Sequence, residues 1–278
     1  MIWTGSTATG HSGCRGITGA VLGIAMLVAF PVWADPAGER LAQKVYDRPN
    51  GKDLTTAVTM SLQERGRAPR VRKMLVYRLE QKPGEVSSLI RFLEPADIEG
   101  TGLLTQDKAN GDSNQWVYLP AMERVRRIDS GRKGGRFVNS DYFYEDLRDR
   151  KVTQDEHRVV GNEVMGGVAC EILESVPTEP GNSVYSKRLS WIDPATALPL
   201  RVDFFGKNDS TPSKRLQVLK REPIQGYWTV TDSVLSDLDS GHQTRLTVDK
   251  VLYDRRLPTR LFSTQTLEDE SAEQNFRP

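Results

Sequence analysis

The chain has few histidines and cysteines, the side chains most often used as general bases, reactive nucleophiles and transition-metal ligands. Beyond the first 34 residues these are His157, His242 and Cys170. The two histidines are not at metal-ligand spacing, and neither neighbours the cysteine. The sequence contains no G-x-S-x-G elbow, no G-x-G-x-x-G and no phosphate-binding glycine loop. We therefore expect no enzyme, cofactor or metal, with an envelope hydrolase using His157 or His242 as the alternative, and we interpret Cys170 as a buried structural thiol.

The charged residues form one concentrated basic group and several acidic pairs. With 38 Lys+Arg against 37 Asp+Glu, the charge balance gives no reason to expect a nucleic acid partner. The basic group lies within residues 124–136 and would suit either anionic headgroups or a solvated strand edge that discourages aggregation. Glu145 and Asp146 are adjacent, and neighbouring residues on a helix point apart. We therefore expect these two carboxylates to be exposed or to cap a helix.

An apolar run near the amino terminus is typical of a secretory leader. It extends over Ile17–Phe30 and is broken by Pro31, and Ala34 with the two residues before it suits a signal peptidase. The run is about fourteen residues long, short of the roughly 20 that span a bilayer. We predict a signal peptide over residues 1–34, cleaved after Ala34, and a periplasmic mature chain that forms one domain over residues 35–278. An uncleaved membrane anchor is the alternative.

Strand patterns dominate the mature chain. A helix is predicted over Pro36–Tyr46 with Asp35 as its cap, because its apolar residues share one face. Candidate strands then run from Leu54–Glu64 to Gln243–Tyr253 and are separated by compact turns, which favours an antiparallel meander of about eleven strands. The break between them holds a predicted short helix over Asp141–Leu147.

Ser140 is the expected cap of the short helix at Asp141–Leu147. At the carboxyl end, Pro258–Leu267 is predicted as a last short helix or an irregular segment, and the polar residues from Glu268 to Pro278 as frayed.

The faces of the strands give the functional hint. Apolar rows of alternating residues begin at Leu200 and at Trp228, and a sheet with an apolar face must cover it. A barrel or a sandwich would do so, whereas a partly curled sheet leaves an apolar groove under the helices. Such a groove suits an acyl chain. An ordinary packed core without a cavity is the alternative interpretation.

Three segments resemble one protein family. They are Phe92–Leu104 (FLEPADIEGTGLL), Trp116–Ile128 (WVYLP followed by VRRI) and Asn139–Leu147 (NSDYFYEDL). Their order and spacing resemble the outer-membrane lipoprotein-sorting protein family, a LolA-like group of bacterial periplasmic proteins. The resemblance covers most of the mature chain, from the first helix to the tail.

The resemblance implies a mainly β fold, a half-open antiparallel β-barrel with a few short helices as a lid. It also implies a lipid or lipoprotein acyl chain as cargo and, as possible donor, an RND-type inner-membrane transporter. The family supplies no catalytic residues. An RseB-like envelope sensor or adaptor that binds protein partners is the alternative function, and we expect a monomer.

Eight residues are the candidates for lipid contact, chosen from the motifs and from the apolar strand rows. Phe143 and Leu147 are further predicted to belong to a movable lid, because their helix follows a glycine-rich loop. The eight candidates are Leu103, Trp116, Tyr118, Phe143, Leu147, Val202, Phe204 and Trp228.

Overall fold

One antiparallel sheet of 13 strands forms the body of the protein in the computed structural model, which describes residues 35–278. The spatial order is β6-β5-β4-β3-β2-β1-β13-β12-β11-β10-β9-β8-β7, so β6 and β7 are the edges and the sheet does not close. The strands are β1 (Asp53–Gln63), β2 (Arg70–Lys82), β3 (Glu85–Glu94), β4 (Gly102–Asp107), β5 (Ser113–Leu119), β6 (Arg124–Arg127), β7 (Asp155–Met165), β8 (Val168–Pro177), β9 (Lys187–Asp193), β10 (Leu198–Phe205), β11 (Lys214–Ile224), β12 (Tyr227–Asp237) and β13 (Gln243–Tyr253).

This architecture confirms the predicted half-open, mainly β fold, with two strands more than the expected eleven. The predicted leader, which contains Cys14, and its cleavage site after Ala34 lie outside the described residues. Within residues 35–278, no helix has the length and apolarity needed to cross a membrane. Cys170 is fully buried, as expected, and burial raises the pKa of its thiol.

Helix α1 (Pro36–Tyr46) lies against the strands at the β7 edge. One carboxylate oxygen of Asp35 accepts from the Ala37 amide at 3.0 Å, and the other accepts from the Val159 amide of β7 at 2.8 Å. The cap therefore also joins the helix to the sheet. Close approach requires glycine at position 38, because a β-carbon there would lie 2.6 Å from Cα of Arg158.

The inner face of the sheet is defined here as the face that carries Met60, Phe92 and Leu103. These residues form a core cluster with Phe137 and Tyr144 of the lid segment, residues 128–151, which crosses this face. The ring centroids of Phe92 and Phe137 are 5.7 Å apart. The lid segment thus completes the core over β1–β5 instead of lying loosely above it.

The opposite, outer face of β1–β5 is covered by the tail segment, residues 257–276. Leu261, Phe262 and Leu267 of this segment pack with Tyr77 and Leu104 of the sheet. A helix, α2 (Thr264–Glu268), and a 3-10 turn (Glu270–Phe276) build it. The prediction of a frayed carboxyl end was therefore wrong, because an apolar outer face needs a cover as much as the inner face does.

A fully buried ion pair fastens the tail segment. Arg91 on β3 is 1% exposed and Glu273 is 0% exposed. Nε and an NH2 nitrogen of Arg91 donate to one Glu273 oxygen at 3.0 and 2.7 Å, and its other donors reach three backbone carbonyls. All five N–H groups of the guanidinium are thereby used. A β-carbon at Gly102 would lie 3.1 Å from the same guanidinium, so glycine makes the room.

The predicted helix at Asp141–Leu147 is shorter than expected and is not an α-helix. Only Tyr144–Leu147 turns, as one 3-10 helix, and the Phe143 amide donates to the Asp146 carboxylate at 2.7 Å. Ser140 is not the cap, because its hydroxyl donates to the Phe137 carbonyl at 2.7 Å. Residues 141–143 run extended across the inner face, where contacts with the sheet replace helical hydrogen bonds.

We predict that Arg91→Met lowers the free energy of unfolding by about 3–5 kcal/mol, because it leaves the Glu273 carboxylate buried without its partner. Urea denaturation of the purified protein measures this. Arg245→Met, in the half-exposed pair with Asp232, is the control and should cost less than about 1 kcal/mol.

The double variant Arg91→Met/Glu273→Leu should recover at least half of the loss, because it removes the orphaned charge. A single-variant loss no larger than that of the Arg245→Met control would contradict the role of the pair.

Candidate functional site

A groove of about 490 Å³ opens on the inner face between α1, the lid segment and strands β7–β10. Its apolar wall includes Val45, Leu173, Ile192, Val202 and Phe204. Its volume is within the roughly 300–1,000 Å³ of ordinary ligand pockets. The part of the inner face that the lid segment leaves uncovered is therefore large enough for a small molecule or an acyl chain.

The curvature of the sheet creates this groove. Arg78 on β2 and Val202 on β10 both line it, although five strand-to-strand steps separate them. In a flat sheet those steps would place the two residues about 24 Å apart. The sheet therefore bends until both halves of the inner face contribute to one site.

A row of cross-strand neighbours forms the groove floor near the β7 edge and continues beyond the groove to Lys214. His157, Ser175, Arg188, Phe204 and Lys214 are paired in this order across β7 to β11. Paired residues on adjacent antiparallel strands point to the same face. These five side chains therefore meet on the inner face, although the sequence spreads them over almost sixty positions.

Lys214 joins this row to the lid segment. Its ammonium lies 2.8 Å from the Asp146 carboxylate, 2.7 Å from the Tyr185 hydroxyl and 3.7 Å from the centroid of the Phe143 ring. Burial lowers the pKa of Lys214, and the negative charge of Asp146 opposes that shift. Phe143 stacks on Tyr185 with centroids 6.0 Å apart. We call these four residues the lid clasp.

Two further carboxylates of the lid segment are buried and hydrogen-bonded. Asp141 accepts from His242 at 2.6 Å and from the Thr244 hydroxyl at 2.7 Å. Glu145 accepts from the Val184 amide at 2.8 Å and from Ser183. The expectation that Glu145 and Asp146 are exposed was therefore wrong, although Asp146 does cap the 3-10 turn. Sequence spacing along the chain does not reveal the long-range donors that satisfy them.

His157 and Ser175 form a hydrogen-bonded pair in the groove. Nδ1 of His157 lies 2.9 Å from the Ser175 hydroxyl, and Nε2 lies 3.0 Å from the Val152 carbonyl. A carbonyl only accepts, so Nε2–H donates to Val152, and in the neutral imidazole Nδ1 accepts from the Ser175 hydroxyl. The other histidine, His242, lies beside the lid carboxylate Asp141. The two histidines thus occupy separate places in the fold.

The structure brings some of the predicted lipid-contact residues together and separates others. Val202 and Phe204 line the groove, and Phe143 belongs to the lid clasp. Leu200 does not continue their row, because a register shift between Pro199 and Arg201 turns it toward an outer-face cluster with Cys170. Alternation in the sequence does not show a β-bulge.

The other predicted residues lie outside the groove. Leu103 and Leu147 belong to the inner-face core beneath and within the lid segment. Trp116 and Tyr118 lie on the outer face under the tail segment, and Val117 packs in the inner-face core, so β5 is covered on both sides. Trp228 lies on the outer face and is 43% exposed.

Sequence reasoning missed the polar residues of the groove. Arg48, Arg78 and Arg150 line it, as do His157 and Ser175. The glycine turn between β7 and β8 sets a register that would pair His157 with Val176, and a register shift between Val159 and Gly161 pairs it with Ser175 instead. Nothing in the spacing of the arginines predicts their convergence.

Comparisons with known proteins agree with this fold. A family model described as that of an uncharacterized protein matches residues 84–269. A domain from Vibrio parahaemolyticus described as an outer membrane lipoprotein-sorting protein is 28% identical, with a TM-score of 0.79 over 84% of this chain and 98% of that chain. None of the curated proteins compared with the chain matches it.

Two other solved structures bear on the family and the fold. A LolA superfamily protein from Nitrosomonas europaea has a TM-score of 0.66 at 18% identity, over 82% of this chain and 98% of that one, and so shares the fold. A DUF1329 family protein from Desulfovibrio piger is 31% identical, with a TM-score of 0.79 over 84% of this chain and 99% of that chain. The resemblance seen in the three sequence segments is confirmed, and the chain belongs to the DUF1329 family, with the fold of the LolA superfamily.

Proposed function

We propose that the protein is a periplasmic carrier that holds an acyl chain of a lipid or lipoprotein in the inner-face groove. The observation that supports this most directly is the incompletely filled inner face beside Val202 and Phe204. A neighbour of the same fold is described as a lipoprotein-sorting protein. The protein performs no catalysis in this role.

The energetics of acyl burial are sufficient for carriage. A chain of about sixteen carbons gains on the order of 10 kcal/mol when it is buried, at about 0.8 kcal/mol per methylene. Apolar side chains along the groove supply the contact surface, whereas the polar floor supplies no comparable driving force. Release therefore needs a competing apolar site or an opening of the lid segment.

The lid clasp is the part of the cover that suits such opening. It holds the lid segment by an ion pair and hydrogen bonds around Lys214, next to Phe204 of the groove. Phe143 and Leu147 would then move with the lid segment while Phe137 keeps it anchored in the core. An RND-type inner-membrane transporter as donor stays a prediction from the family resemblance, as does the monomeric state.

We predict that Val202→Phe weakens acyl binding about 50-fold, because filling the space of about three methylenes removes about 2.4 kcal/mol. Displacement of the uncharged fluorophore N-phenyl-1-naphthylamine by hexadecanol measures the affinity. Val234→Phe adds the same ring on the outer face of β12 and is the matched control, with affinity unchanged within twofold.

Equal affinity of both variants for hexadecanol would show that the groove is not the acyl site. Failure of the unaltered protein to bind any acyl chain, combined with tight binding to the periplasmic part of a membrane protein, would favour the sensor or adaptor instead.

We predict that Lys214→Met raises amide hydrogen exchange in residues 137–147 on the order of 100-fold. Loss of the cation leaves the Asp146 carboxylate without its charged partner. This lowers the free energy needed to open the lid segment by about 3 kcal/mol. Exchange followed by mass spectrometry measures this, with the exposed Lys220→Met as a control that leaves the rate unchanged. Exchange in residues 130–150 that is the same with and without bound acyl chain would contradict a movable lid.

We predict that the carrier returns an esterified lipid intact, since the His157–Ser175 pair serves to satisfy two buried polar side chains. Ser175→Ala should leave acyl affinity within twofold of the unaltered protein. Mass spectrometry of lipid extracted after incubation tests for cleavage. Ester hydrolysis that disappears in Ser175→Ala would establish an enzyme and overturn this assignment.

A further inference from the structure

The charge of the groove differs from that of the whole chain. The chain carries a formal net charge of +1. The groove, in contrast, is lined by six basic side chains and by two carboxylates, Asp149 and Asp155. An apolar chain alone gives no reason for this concentration of positive charge.

Three of the six arginines and lysines are paired with the two carboxylates of the groove. Arg150 lies 2.6 Å from Asp155, and Arg188 contacts the same carboxylate from β9. Lys151 is similarly paired with Asp149, which also accepts from the Tyr46 hydroxyl. These three cations are explained by the folded chain itself, since each has a close counter-charge.

The remaining three cations have no carboxylate as close as this in the part of the chain that the structure describes. Arg48 forms no ion pair within the described residues and donates to the Val45 carbonyl at 3.0 Å. The closest carboxylates to Arg78 and Arg148 lie at 3.8 and 4.0 Å, beyond good hydrogen-bond distance. Nε of Arg148 is buried and has no hydrogen-bond partner among residues 35–278.

Two of these arginines, Arg48 and Arg78, come together at one end of the groove. Arg78 lies on the inner face of β2, and Arg48 directly follows α1. Arg48 and Arg78 also line the adjoining depression of about 510 Å³ beside the β2–β3 turn. Burial lowers the pKa of Arg48, and the positive charge of Arg78 lowers it further. Like charges are thus held close together where an anion would relieve their repulsion.

We propose that the groove takes an acidic amphiphile, whose oxyanion headgroup binds Arg48 and Arg78 while its acyl chain extends toward Val202 and Phe204. The inference rests on the proposed carrier function and names the class of cargo. Two guanidinium forks suit a phosphate or carboxylate headgroup, because each donates paired N–H groups to oxygen atoms. Arg148 lines the same groove but not the depression that Arg48 and Arg78 share.

The test compares two amphiphiles with the same chain, hexadecyl phosphate and hexadecanol, by displacement of N-phenyl-1-naphthylamine from the purified mature protein. The expected result is at least about tenfold tighter binding of the phosphate, the effect of one or two charge-assisted hydrogen bonds. Inorganic phosphate in the same assay should compete only at a concentration at least about a hundred times higher, because it lacks the chain.

Variants assign the preference to the arginines. Arg48→Gln and Arg78→Gln should each lower the preference for hexadecyl phosphate about tenfold while hexadecanol binding stays within twofold. Arg48→Lys keeps the charge and should retain part of the preference. Arg67→Gln, which removes an exposed arginine in the β1–β2 turn, is the matched control. Unchanged hexadecanol affinity also shows that each variant is folded.

Three results would overturn the headgroup inference while the carrier stands. The first two are equal affinities for the two amphiphiles and a phosphate preference that survives in both Gln variants. The third is competition by inorganic phosphate at the same concentration as hexadecyl phosphate, since the site would then bind a free anion. If neither amphiphile binds, the carrier function itself fails, and the two failures are distinguished.

Discussion

A single sheet whose two faces are both apolar over β1–β5 is the constraint on which the rest of this structure depends. The sheet does not close, so it cannot bury either face against itself. Two segments outside the sheet supply the covers, residues 128–151 on the inner face and residues 257–276 on the outer face. The groove lies where the inner cover ends, between the lid segment and α1.

The two covers are each held by an ion pair, but the two pairs lie at different places in the fold. Arg91 and Glu273 hold the tail segment from a fully dry position, with all five donors of the arginine in use. The lid segment is held through several carboxylates, of which Asp146 meets Lys214 beside the groove. Lys214 and Asp146 are also largely buried, with side chains 4% and 8% exposed, but Lys214 lies against Phe204, which lines the groove.

Local sequence patterns predicted the strands well, because side-chain alternation and turn residues act over only a few positions. They predicted the faces less well. The register shift within β10 places Leu200 with Cys170 and Val202 in the groove, although the sequence shows one continuous apolar row. Trp228 begins another such row, yet its face is the outer one. A bulge changes the face of a side chain without changing the residue types around it.

The sequence by itself determined the mainly β fold, the position of α1, the family and the apolar strands from which an acyl site is built. Only the tertiary structure decided which polar residues converge. Arg48, Arg78 and Arg148 come from three distant segments, and the polar tail contributes the buried Glu273. The physical reason is that burial and charge pairing depend on neighbours brought together by sheet curvature and register, whereas a strand or helix pattern is carried by residues close in the chain.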